Sequence, residues 1–168
     1  MLIERLAAGH DREAFDCGEA SLNEYLRQLA RQKADRDLGV TFVLVPGRGS
    51  AQVLGYYTLV AGTVAGEVVP ETSLEGQRTV PVVRLARLAV DRRSQGQGLG
   101  ELLLFHALHR VQAVAETVGA HAVVVDALNE GARRFYLRYG FRTFLDDPLH
   151  LYLTLAAIRA LPLTPEIG

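Results

Sequence analysis

Residues 80–100, VPVVRLARLAVDRRSQGQGLG, decide the fold of this chain. The first half is apolar and rich in β-branched residues as far as Val90, which predicts a strand buried on both faces of a sheet. A basic, glycine-rich turn follows from Arg92 to Gly98, and an apolar pattern with helical spacing begins at Leu99. A strand, a glycine turn and a helix in this order point backbone N–H groups and the positive end of a helix dipole at a phosphate.

The spacing of the glycines restricts the kind of phosphate ligand. Residues 95–100, QGQGLG, fit the pattern Gln-x-x-Gly-x-Gly. A Walker loop needs Lys and then Ser or Thr after its last glycine, but Glu101 and Leu102 stand there. A dinucleotide fingerprint needs its third glycine one residue later than Gly100. The turn is therefore a phosphate loop of another type, or a glycine-rich turn that binds no ligand.

Periodicity along the chain predicts an α/β domain with a mixed sheet. Before the glycine turn we predict a strand at 2–6, a helix at 21–34 that opens with a Ser21-x-x-Glu24 capping box, strands at 40–45 and 53–60, and a loop at 62–79. The strand and the helix on either side of the glycine turn come next. After them we predict a strand at 122–125, a helix capped by Asn129, a strand that starts at 141 and a strand at 149–155. The helix at 99–118 joins the central strand to the strand at 122–125, so these two strands should run parallel. We expect one domain over residues 1–168.

The composition indicates in which cellular compartment the protein works and which classes of partner it could bind. A net charge of −1 with 22% charged residues does not by itself indicate a nucleic-acid or membrane partner. Of the 18 basic residues 17 are arginine, whose planar guanidinium suits phosphate. Cys17 is the only cysteine, which rules out an internal disulfide and favours a reducing compartment. The sequence has no apolar leader segment and no apolar run of about 18 residues, so we expect a cytoplasmic protein.

Residues 84–145 resemble the GNAT N-acetyltransferases. The QGQGLG segment resembles that family's coenzyme A pyrophosphate loop, and FYLRYGF at 135–141 resembles its Phe-Tyr-x-x-x-Gly-Phe motif. The resemblance implies the GNAT fold, a mixed and mostly antiparallel sheet that splays at its central strands and is flanked by helices. It also implies acetyl-CoA as the acetyl donor. The coenzyme-binding set that follows from it is Leu88, Ala89, Val90, Gln95, Gly96, Gln97, Gly98, Leu99, Gly100 and Asn129.

The second motif suggests the proton donor. By the resemblance, Tyr136 protonates the departing coenzyme A thiolate, a role that suits a phenol with a pKa of ~10. The alternative is that Tyr136 is a core aromatic residue. No general base stands out among Asp126, Glu101 and the histidines. His106 and His109 lie one helical turn apart, but no carboxylate or cysteine completes a metal set, so we expect helix-surface histidines and no metal.

Four separated segments resemble the GNAT toxins of bacterial toxin–antitoxin modules. They are FDCG and LNEYL within 15–26, LGYYTL at 54–59, RLARLAVD at 84–91 and DPLHLYL at 147–153; Ala86 departs from the glycine that the group often has. The resemblance implies acetylation of the α-amine of an aminoacyl-tRNA, which blocks translation, together with a ribbon-helix-helix antitoxin and a homodimer. An α-amine needs little help from a base because its pKa is roughly 7.7–8.0, against ~10.4 for lysine.

Under this interpretation, cations near the first helix and near the central strand would hold tRNA phosphates. The predicted set is Arg27, Arg31, Lys33, Arg36, Arg87, Arg92 and Arg93. The helix at 21–34 is expected to carry Arg27 and Arg31 on its outer face, and the alternative is an ordinary solvated face. Two other functions stay open: an N-acetyltransferase of a small amine or a protein N-terminus, and a non-catalytic acyl-CoA-binding module.

Overall fold

The computed structural model describes residues 1–70, 76 and 78–162. Its strands are β1 (Leu2–Arg5), β2 (Val40–Val45), β3 (Gly55–Ala65), β4 (Thr79–Val90), β5 (Ala122–Asp126), β6 (Arg142–Thr143) and β7 (His150–Thr154). Its α-helices are α1 (Ala20–Glu24), α2 (Ala30–Asp35), α3 (Leu99–Val118), α4 (Glu130–Arg138) and α5 (Leu155–Ala160). A π-helical turn (Tyr25–Leu29) joins α1 to α2, and 3₁₀ turns lie at Gly66–Val68 and Arg92–Ser94. Of the predicted 62–79 loop, residues 71–75 and 77 lie outside the described residues.

The seven strands form one sheet in the order β1-β2-β3-β4-β5-β7-β6. Four neighbouring pairs are antiparallel: β1 with β2, β2 with β3, β5 with β7, and β6 with β7. β4 and β5 pair in parallel through residues 82–84 and 122–124, as the helical crossover predicts, and β4 runs on to Val90. The predicted fold class, a mixed and mostly antiparallel sheet flanked by helices, is therefore confirmed.

The chain divides into two compact units. Within the described residues, unit 1 comprises 1–60 and 86–109, and unit 2 comprises 61–85 and 110–162. The core of unit 1 contains Phe15, Cys17, Tyr25, Leu26, Ala30, Val43, Val45, Val53, Tyr56 and Ala89. The core of unit 2 contains Val64, Val69, Val80, Val82, Ala122, Val124, Phe144 and Tyr152. The expectation of one domain over the whole chain stays a prediction.

The first helical stretch differs from its prediction in two respects. The helix begins at Ala20 without a side-chain cap, so the predicted Ser21 capping box is wrong. Further on, Ala30 donates its N–H to the carbonyl oxygen of Tyr25, five residues earlier, which is the hydrogen bond of a π-helical turn. The extra residue in this turn moves the apolar face from Leu29, which is 39% exposed, to Ala30, which is buried.

The helices that follow the glycine turn and carry the second motif form as predicted. α3 ends before Gly119, whose φ of +79° suits a glycine beyond a helix C-terminus. Asn129 caps α4, because its Oδ1 accepts the Ala132 N–H at 2.9 Å. The last helix of the described residues, α5, differs from the sequence prediction, which contains no helix there; its cap is Thr154, whose Oγ1 accepts the Ala157 N–H at 3.1 Å. In the described part of the chain, no helix is long and apolar enough to cross a membrane.

Candidate active site

The glycine loop lies in unit 1 between β4 and α3. Asp91 follows the strand and caps the 3₁₀ turn at 92–94, after which Gly96 and Gly98 have φ values of +80° and +78°. L-residues rarely adopt such values, so this path of the chain needs glycine at both positions. A Cβ built on either glycine meets no atom within 4 Å, and residues 95–98 are exposed. The loop therefore presents its backbone to open space.

The start of α3 adds N–H groups to the same loop. Leu102 donates its N–H to the carbonyl oxygen of Gly98 at 3.2 Å. The N–H groups of Leu99, Gly100 and Glu101 precede this bond, and N–H groups in the first turn have no partner within a helix. The helix is 20 residues long and places the positive end of its dipole here. These features suit a phosphate, so the residues present fit the pyrophosphate of a coenzyme A donor.

Arg92 and Arg93 of the glycine loop each lie beside a carboxylate. Asp91 is buried and accepts hydrogen bonds from Arg93 Nε at 3.0 Å and Nη2 at 3.2 Å. Arg92 Nε lies 3.6 Å from Asp16 Oδ2. Burial alone would raise the pKa of Asp91, but the hydrogen bonds and the charge of Arg93 outweigh it, so that pKa lies below its usual range. Both arginines thus lie beside carboxylates, while their side chains stay 64% and 66% exposed.

The end of β4 is closely packed within unit 1. Ala89 is buried, and Leu88 and Val90 are half-buried. The carbonyl oxygen of Val90 accepts a hydrogen bond from Gln95 Nε2 at 3.0 Å. A Cβ added to Gly55 of β3 would lie 2.9 Å from the Ala89 carbonyl oxygen, so a glycine is required for this close backbone approach. The expected contact between the 88–90 backbone and a thioester oxygen stays a prediction.

Tyr136, the predicted proton donor, lies in unit 2 on α4. Its side chain is buried, and burial raises the pKa of its phenol, which therefore keeps its proton at neutral pH. Its ring packs against Phe135 and Phe141, with centroids 5.2 Å apart in both pairs. Asn129, which precedes α4, uses its Oδ1 for the helix cap. The phenol on α4 is thus protonated, as proton donation requires, and it is packed among aromatic rings, as a core residue would be.

The four predicted tRNA-binding cations of the first helical stretch differ in whether their side chains face inward or outward. Arg27 Nη2 donates to the carbonyl oxygen of Phe15 at 3.0 Å, and its Nε is buried. The expectation that Arg27 lies on the outer face is therefore wrong. Arg27 belongs to the π-helical turn, whose residues do not keep the angular spacing of a regular α-helix. Arg31 and Lys33 are half-buried and Arg36 is exposed; we call these three residues the α2 patch.

Arg87 is a further predicted tRNA contact and lies on β4. Its guanidinium carbon is 4.6 Å from the ring centroid of Tyr25, within the range of a cation–π interaction. Its Nη1 donates to the carbonyl oxygen of Ala86 at 2.8 Å. Ala86 itself lies inside the strand, although the resembling toxins often have glycine there. Arg87 is thus fixed in direction by an aromatic ring of unit 1.

Two other candidates for a base or a metal ligand, His106 and Asp126, have structural partners. His106 is buried, and its Nδ1 lies 2.7 Å from the Tyr57 hydroxyl. The prediction of a surface histidine is wrong here because His106 shares the buried face of α3 with Leu103. Asp126 accepts a hydrogen bond from Arg84 Nη1 at 2.9 Å. Among the residues that the structure describes, no group of three or more His, Cys, Asp or Glu could hold a metal ion.

Sequence reasoning missed the polar residues that hold the glycine loop. Asp91 accepts the Asp16 N–H at 3.2 Å, although 75 positions separate the two residues. Gln95, expected to act through its backbone, also donates its Nε2 to the carbonyl oxygen of Cys17 at 3.1 Å. The sequence offers two signals: Asp91 is an acid directly after a buried strand, and Asp16 is the acid in the FDCG segment. Neither signal shows by itself that the two segments meet.

Comparison with known proteins identifies the family. The family described as Acetyltransferase (GNAT) domain matches residues 43–150. The chain belongs to the GNAT acetyltransferase family and is an N-acetyltransferase. It is similar to a tRNA-acetylating toxin from Mycobacterium tuberculosis, with 39% identity over 158 residues, which make up 94% of this chain and 93% of that relative.

Solved structures of toxins have the same fold. AtaT complexed with acetyl-methionyl-tRNAfMet has a TM-score of 0.88 and 34% identity, covering 94% of this chain and 96% of that chain. A tyrosine-to-phenylalanine mutant of AtaT, bound to the C-terminus of the antitoxin AtaR and to acetyl-CoA, has a TM-score of 0.81 and 33% identity, covering 94% and 95%. The resemblance to GNAT toxins seen in the sequence is therefore confirmed.

Proposed function

We propose that this protein is a toxin that transfers the acetyl group of acetyl-CoA to the α-amine of the amino acid on a charged tRNA and so blocks translation. The observation that carries the proposal is the 39% identity, over 94% of the chain, to a tRNA-acetylating toxin. The similarity to AtaT, which was solved with an acetylated methionyl-tRNA, supports it. A single fold hosts many acceptors, so the acceptor rests on these relatives rather than on the fold.

The donor is assigned to the glycine loop of unit 1. Backbone N–H groups from Gln95 to Gly100 bind the pyrophosphate, and the exposure of the loop and the left-handed glycines support this assignment. The backbone of residues 88–90 meets the thioester oxygen, and Asn129 contributes its Nδ2 amide to coenzyme binding. The AtaT structure that contains acetyl-CoA supports the same donor.

The chemical step needs one proton donor. The acceptor nitrogen attacks the thioester carbonyl carbon, a C–N bond forms, and the C–S bond breaks. Tyr136 gives its phenolic proton to the departing thiolate and regains a proton from solvent, and the attacking amine loses a proton to water. Because the pKa of an α-amine is roughly 7.7–8.0, an appreciable part of it is neutral at physiological pH and can attack without a dedicated base.

We assign the binding of the acceptor tRNA to four of the seven predicted cations. The three residues of the α2 patch and Arg87 hold phosphates of the tRNA. Arg27 is left out because its guanidinium faces inward with a buried Nε, and Arg92 and Arg93 because each lies beside a carboxylate. Four phosphate contacts provide affinity without a high net charge on the whole chain. Binding should therefore weaken steeply as salt concentration rises.

The remaining assignments are the antitoxin, the oligomeric state and the cellular compartment. A ribbon-helix-helix antitoxin neutralises the toxin, and the toxin acts as a homodimer in the cytoplasm. Support for an antitoxin comes from the AtaT structure that contains the C-terminus of AtaR. The antitoxin class, the dimer and the compartment rest on the resemblance of the sequence to GNAT toxins.

Transfer of radiolabelled acetyl from acetyl-CoA to bulk charged tRNA tests the proposal. Deacylated tRNA, free amino acids and peptides serve as parallel acceptors. We expect label on charged tRNA alone. Label on free amines or peptides without tRNA would favour a small-amine or N-terminal acetyltransferase. Coenzyme A binding without transfer to any acceptor would favour a non-catalytic module.

A further inference from the structure

A network of hydrogen bonds in unit 1 ties the turn before α1 to the loop that follows β4. We call the residues Asp16, Cys17, Asp91 and Gln95 the anchoring network. Its direct bonds between the two segments run from the Asp16 N–H to Asp91 Oδ2 at 3.2 Å, from the Arg92 N–H to the Asp16 carbonyl oxygen at 2.8 Å, and from Gln95 Nε2 to the Cys17 carbonyl oxygen at 3.1 Å. The glycine loop is thus held from a segment distant in sequence.

Asp91 is the centre of this network. Its side chain is only 3% exposed, and it accepts bonds from the Asp16 N–H, the Arg93 N–H and the Arg93 guanidinium. Its own N–H donates to the Leu54 carbonyl oxygen at 2.8 Å. A buried carboxylate keeps its charge only where several donors compensate for the lost water, and here they do. Asp91 therefore fixes the point at which the chain leaves β4.

Asp16 and Gln95 hold the two sides of the connection. Asp16 Oδ1 accepts the Gly18 N–H and Asn23 Nδ2, each at 2.9 Å, which fixes the FDCG turn on α1. Gln95 Nε2 donates both to the Cys17 carbonyl oxygen and to the Val90 carbonyl oxygen. The side chain of Gln95 thus closes the base of the loop just before the first left-handed glycine.

The middle of the glycine loop has open space around its glycines. Residues 96–98 are exposed, and a Cβ on Gly96 or Gly98 would touch nothing within 4 Å. An exposed loop with few packing contacts samples many conformations unless its ends are fixed. The direction of its N–H groups therefore depends on the residues that fix those ends.

We infer that Asp91, Asp16 and Gln95 are positioning residues for the acetyl donor, which hold the loop N–H groups in the arrangement that receives the coenzyme A pyrophosphate. This inference rests on the proposed use of acetyl-CoA. The inference assigns the FDCG segment a role in donor binding, although this segment precedes the loop by more than 70 positions. It also separates the network from the chemical step, in which none of the three side chains takes part.

Substitution of Gln95 by methionine tests the inference. Methionine keeps the length of the side chain and the backbone N–H but lacks the Nε2 donor, and Gln95 is exposed, so the variant should fold. Gln32→Met, at an exposed position of α2, is the matched control. Asp91→Asn is a second variant at the centre of the network. Coenzyme A affinity is measured by calorimetry, and kcat/KM is measured with acetyl-CoA and with S-acetylpantetheine, which has no pyrophosphate.

We expect Gln95→Met, which removes both Nε2 hydrogen bonds, to weaken coenzyme A binding roughly fivefold or more, and Asp91→Asn to weaken it roughly tenfold or more. Only the kcat/KM for acetyl-CoA should fall, while that for S-acetylpantetheine and the affinity of Gln32→Met stay at the wild-type level. Unchanged coenzyme A affinity in Gln95→Met would overturn the inference, and so would an equal loss with both donors. A wild-type protein that binds no coenzyme A would instead refute the proposed donor.

Discussion

Alanine at Gly98 tests whether donor binding depends on the left-handed path of the glycine loop. Gly98 has a φ of +78°, and a Cβ there would meet no protein atom within 4 Å. The substitution therefore creates no clash, and its cost is the backbone strain of an L-residue in the left-handed region, about 1–2 kcal/mol. The exposed loop can relieve this strain in the free protein by changing conformation. The cost then enters the binding step and corresponds to roughly 5- to 30-fold weaker coenzyme A binding.

Gly49 provides the matched control for this measurement. It has a φ of +79° in the exposed turn between β2 and β3, and a Cβ there also meets nothing within 4 Å. Gly49→Ala therefore carries the same backbone strain away from the loop. Calorimetric titration with coenzyme A should show weaker binding for Gly98→Ala and wild-type binding for Gly49→Ala. Wild-type affinity in Gly98→Ala, or an equal loss in both variants, would refute the reasoning.

Further predictions concern the proton donor, the packing of β3 and the tRNA contacts. Tyr136→Phe keeps the ring and removes the hydroxyl, so we expect normal coenzyme A binding and a loss of roughly 10²–10⁴ in kcat; undiminished turnover would exclude Tyr136 from the mechanism. Gly55→Ala places a Cβ 2.9 Å from the Ala89 carbonyl oxygen, a backbone atom that cannot move aside, and should lower the free energy of unfolding in urea by about 1–3 kcal/mol; an unchanged midpoint would contradict this packing. Reversing the charges of the α2 patch to glutamate should raise the KM for charged tRNA and reduce its salt dependence, whereas Arg48→Glu in the exposed β2–β3 turn should change neither; equal effects would point to overall charge instead of the patch.

The parts of the fold that could be predicted are those encoded by local signals. α3 was predicted with both ends correct, because a glycine-rich turn precedes it and Gly119 follows it. The cap of α4 was likewise predicted from Asn129 alone. The parallel pairing of β4 and β5 followed from the handedness and length of a helical crossover.

The errors arose where tertiary contacts override local patterns. Ser21 fits a capping box, but the helix starts one residue earlier and widens into a π-helical turn. That turn changes which residues face the core, so Arg27 points inward while Leu29 is exposed. His106 was expected at the surface because a single sequence cannot show that Tyr57 offers it a buried hydroxyl.

The glycine loop itself could be predicted, but its supports could not. The loop has a contiguous pattern, whereas Asp16 and Asp91 meet across 75 positions of sequence. The side chain of Gln95 belongs to the predicted pattern, but its bond to the Cys17 carbonyl oxygen is a property of the folded chain. Long-range polar contacts of this kind leave no periodic trace in a sequence.

The central claim is that the acetyl group is placed on the α-nitrogen of a tRNA-bound amino acid. Mass spectrometry of the aminoacyl-adenosine that ribonuclease releases from tRNA, after reaction with wild-type protein and acetyl-CoA, tests this claim most directly. The account predicts N-acetylaminoacyl-adenosine, formed by the wild-type protein and strongly reduced with Tyr136→Phe. Unmodified aminoacyl-adenosine, or an acetyl group found on a nucleobase or on an amino-acid side chain, would contradict it.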